Sequence, residues 1–256
     1  GDQRELLKGI QAVGKLGYQP ALDFLLRMSE DERRKVSRSA FLALGELGGK
    51  ESVTVLVVAA KDVQAVEATR LAAMEALGRA GSNRAVEVLL ELADEGELKF
   101  RIGAVKALRW SENTKAVGKL SKMLGNQDLR PHVIEALGAI GGKKAGKALL
   151  ALHNDETVDA DTRFEAVAAA AMARNKKSSE PLRAYLSSPD EKRRVKTMRA
   201  LASMGRKVDV PALFDAYKKA TGREKGIALW AIKVCSGKAL ETEEDIEKYI
   251  KKKKLR

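Results

Sequence analysis

The sequence predicts an all-α fold built from repeated helix pairs, and three observations support this prediction. A short phrase, Ala-Leu-Gly followed three residues later by a second glycine, ends at Gly48, Gly81 and Gly141. Equivalent positions along the chain are 29 to 33 residues apart, and a constant period of this kind is typical of an α-solenoid. The composition is 45% hydrophobic but only 4% aromatic, which favours closely stacked helices over a sheet.

The last glycine of the phrase marks one position in every repeat. The marker positions are Gly17, Gly48, Gly81, Glu112, Gly141, Arg174, Gly205 and Ser236. Residues one, four, five and eight positions before a marker are mostly small or apolar, so they form one buried stripe of a helix. The marker glycine suits a left-handed C-terminal cap. The glycine three positions earlier lies inside the helix and costs about 1 kcal/mol relative to alanine, so we expect a neighbouring helix to pack closely there.

The repeats predict one domain over residues 1–256. Its elements are an unpaired first helix at 4–17, seven antiparallel helix pairs over about 19–236, and a final single helix at about 242–254. Thr242 is predicted to cap the last helix, because acidic residues follow it and lysines end the segment. Capping boxes are also predicted at Ser29 and Ser188.

The repeat resembles the HEAT-repeat family, in its short bacterial form that includes the bilin-lyase type. The segments that carry the resemblance are Thr69 to Gly78 and Phe100 to Leu108, each with an arginine near its start and an alanine-rich run after it. The resemblance implies a right-handed superhelix with the Ala-Leu-Gly helices on its concave face and the shorter helices on its convex face.

The arginine of the family phrase recurs eleven residues before the marker. It stands at Arg70, Arg101, Arg130, Arg163 and Arg194, with Lys225 in the last unit. The resemblance implies a ladder in which each arginine pairs with an acidic or amide side chain at a repeat boundary. The side chains placed for this are Asp62, Asp94, Asn126, Asp155 and Asp190. Direct contact with a ligand is the alternative role.

Composition excludes several classes of site. A single cysteine, Cys235, excludes an intrachain disulfide framework, and two histidines are too few to suggest a metal site. We therefore expect no metal and no cofactor. No apolar run approaches the ~18 residues that would span a bilayer. A cytoplasmic monomer is expected, although a chain that begins with Gly1 leaves a removed targeting segment open.

A candidate protein-binding groove follows from the helix face opposite the buried stripe. Residues ten, six and two positions before a marker share that face. Both tryptophans, Trp110 and Trp230, fall there beside basic residues, and tryptophan and arginine are enriched at interaction hot spots. The predicted groove residues are Trp110, Trp230, Arg79, Lys106 and Arg199. The alternative is that the tryptophans only fill gaps between helices.

The net charge of +13 comes mostly from residues 129–256, and it suggests a second kind of site. Basic residues in loops and at one helix start could bind nucleic acid or another polyanion. These residues are Lys143, Lys144, Lys176, Lys177, Arg193, Arg194, Arg206 and Lys207. The alternative is that they only keep the surface soluble, since acidic residues are interspersed among them.

These observations predict a non-enzymatic interaction scaffold that binds a protein or peptide in the concave groove. A nucleic-acid-binding or other polyanion-binding module is the alternative. A third class is an enzyme similar to the alkylation-repair DNA glycosylases or the bilin lyases. The neighbours of Trp110 and Trp230 include no aspartate of the kind the glycosylases use, and no chromophore-binding motif is found, so no enzyme is predicted.

Overall fold

The computed structural model describes residues 3–255 and confirms the all-helical prediction. In this part of the chain every regular element is a helix. The α-helices are α1 (Gln3–Lys15), α2 (Leu22–Ser29), α3 (Arg34–Leu47), α4 (Gly49–Lys61), α5 (Glu67–Ala80), α6 (Asn83–Asp94), α7 (Leu98–Leu108), α8 (Val117–Met123), α9 (Arg130–Ile140), α10 (Gly142–His153), α11 (Ala160–Met172), α12 (Ser179–Ala184), α13 (Glu191–Met204), α14 (Val210–Lys219), α15 (Gly222–Ser236) and α16 (Glu243–Lys253). Short 3-10 turns occur at Gln19–Ala21, Thr114–Ala116, Lys176–Ser178, Tyr185–Ser187 and Lys207–Asp209.

The helices divide into two compact units, one ending at Ile140 and the other beginning at Gly141. In the first unit the odd-numbered helices α1 to α9 pack side by side in chain order, and each of α2, α4, α6 and α8 packs against the odd-numbered helix that follows it. In the second unit α11, α13 and α15 pack in the same way, with α10, α12 and α14 each against the next helix. The helix pairing is as predicted. A single array over residues 1–256 remains a prediction.

Glycines inside the odd-numbered helices of the first unit allow these helices to approach closely. A Cβ added to Gly14 would lie 2.7 Å from the Cα of Ala43, and one added to Gly45 would lie 2.4 Å from the carbonyl oxygen of Ala76. Real Cβ atoms do not tolerate such distances, so only glycine fits at these crossings. The predicted compensation for a glycine within a helix is therefore confirmed.

The marker residues from Gly17 to Gly205 follow the odd-numbered helices and have positive φ values. Gly81 and Gly205 are in the left-handed conformation. Glu112 and Arg174 also have positive φ values of 49° and 58°, although a side chain makes this conformation costly by about 1 to 2 kcal/mol. The last repeat is shifted by one residue, because α15 includes Ser236 and ends at Gly237.

Helix starts match the prediction only in part. Thr242 forms the expected capping box with Asp245 at the start of α16. The boxes at Ser29 and Ser188 are wrong. Ser29 is the last residue of α2, where its hydroxyl donates to the carbonyl of Leu26 at 2.7 Å. Helix α13 is capped by Asp190 instead, whose carboxylate accepts from a backbone N–H.

The arginine series is structural, but its partners differ from the predicted ones. The Nε atoms of Arg70, Arg101 and Arg130 donate to backbone carbonyls at the ends of the preceding helices, those of Ala60, Ala93 and Leu124, at 3.3, 3.1 and 2.8 Å respectively. A cation at this position complements the negative end of that helix and satisfies carbonyls that have no partner within it.

The predicted acidic and amide partners are engaged elsewhere. Asp62 and Asn126 accept hydrogen bonds from backbone N–H groups two residues further on. Asp94 forms an ion pair with Lys119 at 2.9 Å. The predicted ladder of side-chain pairs is therefore wrong at these three positions.

Candidate binding surfaces

Trp110 is half-exposed and has two guanidinium groups near its ring in the first unit. It stands in the turn after α7 with 47% of its surface accessible. The Cζ atoms of Arg79 and Arg109 lie 5.3 and 4.8 Å from the centroid of its ring. These distances are within the range of cation–π attraction. The predicted groove residues Arg79 and Trp110 are thus brought together on neighbouring repeats.

Acidic residues hold Arg79 in position. Its guanidinium contacts Glu46 of α3 at 3.1 Å and Glu75 of α5 at 3.3 Å. Glu75 in turn pairs with Arg38 at 2.9 Å, so the network joins α3 and α5. A side chain held by several partners loses less entropy on binding than a free one, so Arg79 is already ordered where it contacts the ring of Trp110.

Lys106 lies on the exposed side of α7, where its charge acts on His132 of α9, and within the described residues it forms no cation–π contact with Trp110. Burial lowers the pKa of His132, and the charge of Lys106 lowers it further. His132 is therefore neutral near pH 7.

The second unit exposes a more apolar surface on its odd-numbered helices. Trp230 and Val234 lie one turn apart on α15 and are 49% and 41% exposed, and Met172 at the end of α11 is 57% exposed. Arg199 of α13 and Trp230 hold the same repeat position on neighbouring helices. Among the described residues the guanidinium of Arg199 has no ion pair, so its charge is available to a partner.

The exposed strip is interrupted at α11. Phe164 and Ala168, which the spacing places on the exposed face, are buried instead. The ring of Phe164 packs against that of Tyr185, with centroids 4.8 Å apart. Trp110 and Trp230 belong to different units, so one groove containing both remains a prediction.

Arg193 and Arg194, two of the residues assigned to polyanion binding, are held in internal ion pairs. Arg193 pairs with Asp161. The Nε and Nη2 atoms of Arg194 lie 2.7 and 2.8 Å from the two carboxylate oxygens of Glu224, which is nearly buried. The hydrogen bonds from Arg194 lower the pKa of Glu224. Arg193 thus links α13 to α11, and Arg194 links α13 to α15, so the case for a nucleic-acid surface at these two residues weakens.

Other basic residues of that set meet in an open groove of about 780 Å³ in the second unit. Its cationic lining residues are Lys143, Lys147, Arg174, Lys176 and Lys177. Lys144 is exposed but does not line the groove. Arg206 donates to the backbone carbonyl of Lys176 at 2.6 Å, and Lys207 begins the next 3-10 turn. Sequence reasoning missed Lys147, although its position one turn after Lys143 on α10 was a usable signal.

Cys235 and the possible metal ligands of the described residues suggest no reaction centre. Cys235 is buried, and burial followed by the charge of Asp209 raises its pKa to about 12. Within residues 3–255, no group of three or more His, Cys, Asp and Glu side chains could hold a metal ion. Among these residues there is also no helix with the length and apolar character needed to cross a membrane.

Comparison with known proteins identifies the repeat. A family model described as HEAT repeats matches residues 30–109. The phycocyanobilin lyase subunit alpha of a Picosynechococcus species is 29% identical over 161 residues, which cover 58% of this chain and 60% of that protein. The chain therefore spans less than two thirds of the length of this curated relative.

Solved structures show the same fold. The complex of CpcE and CpcF of phycocyanin lyase from Nostoc matches with a TM-score of 0.56 and 18% identity, over 90% of this chain and 92% of the matched chain. The YibA protein of Escherichia coli matches with a TM-score of 0.50 and 16% identity, over 93% of each chain.

These findings correct one prediction and confirm another. The prediction of a non-enzymatic protein is wrong, because the relatives are lyase subunits and point to an enzyme-associated role. The family resemblance is confirmed, and the chain contains HEAT repeats that the family model matches over residues 30–109.

Proposed function

We propose that this protein is an enzyme-associated subunit of the bilin-lyase type, which handles a bilin together with a second protein chain. The similarity to a phycocyanobilin lyase subunit supports the bilin, and the two-chain phycocyanin lyase complex supports the second subunit. The structural observation that carries the proposal is Trp110, which is half-exposed and in cation–π contact with Arg79 and Arg109.

The surroundings of Trp110 suit a protein contact. Burying a half-exposed tryptophan removes a large apolar area from water, and residues of this type dominate the binding energy of many interfaces. The charged residues around it, Glu46, Glu75 and Arg109, would form the polar rim that such an anchor needs. Because Glu46 and Glu75 pair with Arg79, and Arg109 lies 3.9 Å from Glu135, closing the interface would leave few of these charges unpaired.

The surface around Trp230 offers a second contact of a different character. Trp230 and Val234 are exposed one turn apart on α15, and Arg199, which forms no ion pair among the described residues, holds the same repeat position as Trp230 on the neighbouring helix α13. An acidic group on the partner would complement this arginine, and the apolar side chains would be covered.

A reconstitution experiment tests the proposal. The purified chain is mixed with phycocyanobilin, with the second lyase-type subunit of the same organism, and with both. Bilin absorbance reports bilin binding, and gel filtration with light scattering reports the mass of the complex. We expect a one-to-one complex of the two chains and a bilin spectrum that changes on mixing. If neither the bilin nor the second subunit associates with the chain, the proposal fails.

A further inference from the structure

We propose that the groove between α10 and the turn at Lys176–Ser178 binds the carboxylates of a bilin. For convenience this site, lined by Lys143, Lys147, Arg174, Lys176 and Lys177, is called the basic groove. The inference rests on the proposed function for the identity of the ligand. The location of the site and its preference for an anionic ligand rest on the residues that line the groove.

Acidic side chains of the described residues do not neutralise the cations of the basic groove. None of its five cations forms an ion pair with another described residue, and no aspartate or glutamate is among the residues that line it. Elsewhere in the same unit basic side chains are neutralised, as in the pairs of Arg194 with Glu224 and of Lys196 with Glu165. Like charges gathered in one groove repel each other, and an anionic ligand would relieve this repulsion.

The floor of the basic groove is apolar. Leu150 and Ala151 of α10 and Ala173 after α11 lie between the cations. The volume of about 780 Å³ is within the range of roughly 300 to 1,000 Å³ for small-molecule sites. This combination fits a ligand with a large apolar body and more than one carboxylate. A bilin, an open-chain tetrapyrrole with two propionate groups, has this chemistry.

A matched groove in the first unit shows that the charge is not a consequence of the fold. It lies between α4 and the turn after α5, and its volume is about 620 Å³. Lys50 and Arg84 line it at the repeat positions of Lys143 and Lys177, but Thr54 replaces Lys147. Val57 and Val58 form its floor as Leu150 and Ala151 do in the basic groove. The repeat therefore builds the shape twice, and only the second copy carries the full cluster of cations.

The turn that carries Lys176 and Lys177 is seated firmly on α10. A Cβ added to Gly146 would lie 2.7 Å from the Cβ of Asn175, so the turn packs directly on this glycine. The side chain of Asn175 accepts from the N–H of Lys177 at 3.0 Å, and Arg206 donates to the carbonyl of Lys176 at 2.6 Å. These contacts hold the two lysines over the groove before any ligand arrives.

The test measures binding of phycocyanobilin and of its dimethyl ester by absorbance titration. The wild-type chain is compared with a variant carrying Lys147→Gln and Lys177→Gln, and with a control carrying Lys50→Gln and Arg84→Gln in the matched groove. We expect the first variant to bind phycocyanobilin about tenfold more weakly or worse, because it loses two charge-assisted hydrogen bonds. The control variant should bind like the wild type. The dimethyl ester should bind the wild type and the first variant equally weakly.

Several results would overturn the inference. These are equal affinity of the wild type for phycocyanobilin and its dimethyl ester, an unchanged phycocyanobilin affinity of the Lys147 and Lys177 variant, or weaker phycocyanobilin binding in the control variant alone. Binding of a single-stranded oligonucleotide without binding of the bilin would identify the groove as a phosphate site and would also overturn it. Circular dichroism melting of both variants checks that they remain folded.

The two proposals fail separately. If the bilin binds with no effect of the groove substitutions, the groove assignment is wrong while the proposed function stands. If the groove variant loses the bilin but still forms a complex with the second subunit, both proposals are supported. If the wild-type chain binds no bilin, the groove assignment is wrong. Complex formation with the second subunit then decides whether the proposed function stands.

Discussion

Gly78 of α5 lies so close to Ala107 of α7 that a Cβ on the glycine would stand 2.1 Å from the carbonyl oxygen of the alanine. We expect Gly78→Ala to destabilise the first unit, because the two helices would have to move apart. Overpacking of this kind costs about 1 to 3 kcal/mol, and the better helix propensity of alanine returns no more than about 1 kcal/mol. Urea denaturation followed by circular dichroism measures the change in the free energy of unfolding.

Gly9 of α1 provides the matched control for this substitution. It also lies inside a helix of the first unit, but a Cβ there would have no neighbour within 4 Å. Gly9→Ala should therefore leave stability unchanged or raise it by up to about 1 kcal/mol. If Gly78→Ala and Gly9→Ala both stabilise the protein, the close approach of α5 and α7 does not require a glycine at position 78.

The hydrogen bond from Arg101 to the end of the preceding helix predicts a smaller effect. Arg101→Met keeps most of the aliphatic chain but removes the donor to the carbonyl of Ala93. We expect a loss of about 0.5 to 1.5 kcal/mol in the free energy of unfolding, as for one ordinary hydrogen bond. Arg84→Met, on the surface of α6, should change stability much less. Equal effects of the two substitutions in urea denaturation would contradict a capping role for Arg101.

The ion pair between Arg194 and Glu224 predicts acid sensitivity of the second unit. The hydrogen bonds from Arg194 lower the pKa of Glu224 below its ordinary value of 4.5. A lowered pKa in the folded state means that the pair contributes its full stability above about pH 4.5 and loses it as the pH falls further. Glu224→Gln should cost about 1 to 3 kcal/mol at pH 7 and remove part of this acid dependence.

The exposed pair of Lys196 with Glu165 is the control for Glu224. Glu165→Gln should change the free energy of unfolding by less than about 1 kcal/mol, since both side chains are solvated. Thermal melts between pH 7 and pH 3 measure both variants. A melting temperature of the Glu224 variant that falls with pH as steeply as that of the wild type would refute the argument.

Periodicity made most of the fold predictable. The spacing of markers such as Gly48 and Gly81 predicted where the odd-numbered helices end, because each repeat must present the same small residues to its neighbour. At Glu112 and Arg174 the same positive φ occurs without glycine. The positive φ therefore recurs with the repeat position rather than with the residue type, and the repeat register was the better guide.

The details that sequence did not reveal depend on the backbone and on the next repeat. The guanidinium groups of Arg70 and Arg101 donate to main-chain carbonyls. Because every residue has such a carbonyl, the sequence does not show which one is the partner. Helical spacing placed Phe164 on an exposed face, but Tyr185 covers it. Among the predicted polyanion-binding residues, spacing could not distinguish Arg194, which has a carboxylate partner, from Lys177, which forms no ion pair with the residues that the structure describes.

Trp110 is the residue on which the proposed partner surface depends, and Leu98 is its control. Leu98 begins the same helix, α7, and is 42% exposed, but it has no guanidinium neighbours of this kind. The most direct test is calorimetric titration of the second lyase-type subunit into the wild-type chain and into the Trp110→Ala and Leu98→Ala variants. We expect Trp110→Ala to weaken binding about 30-fold or more, as for a hot-spot residue, and Leu98→Ala to bind like the wild type. Equal affinity of all three proteins would contradict a role for the Trp110 surface in holding a partner.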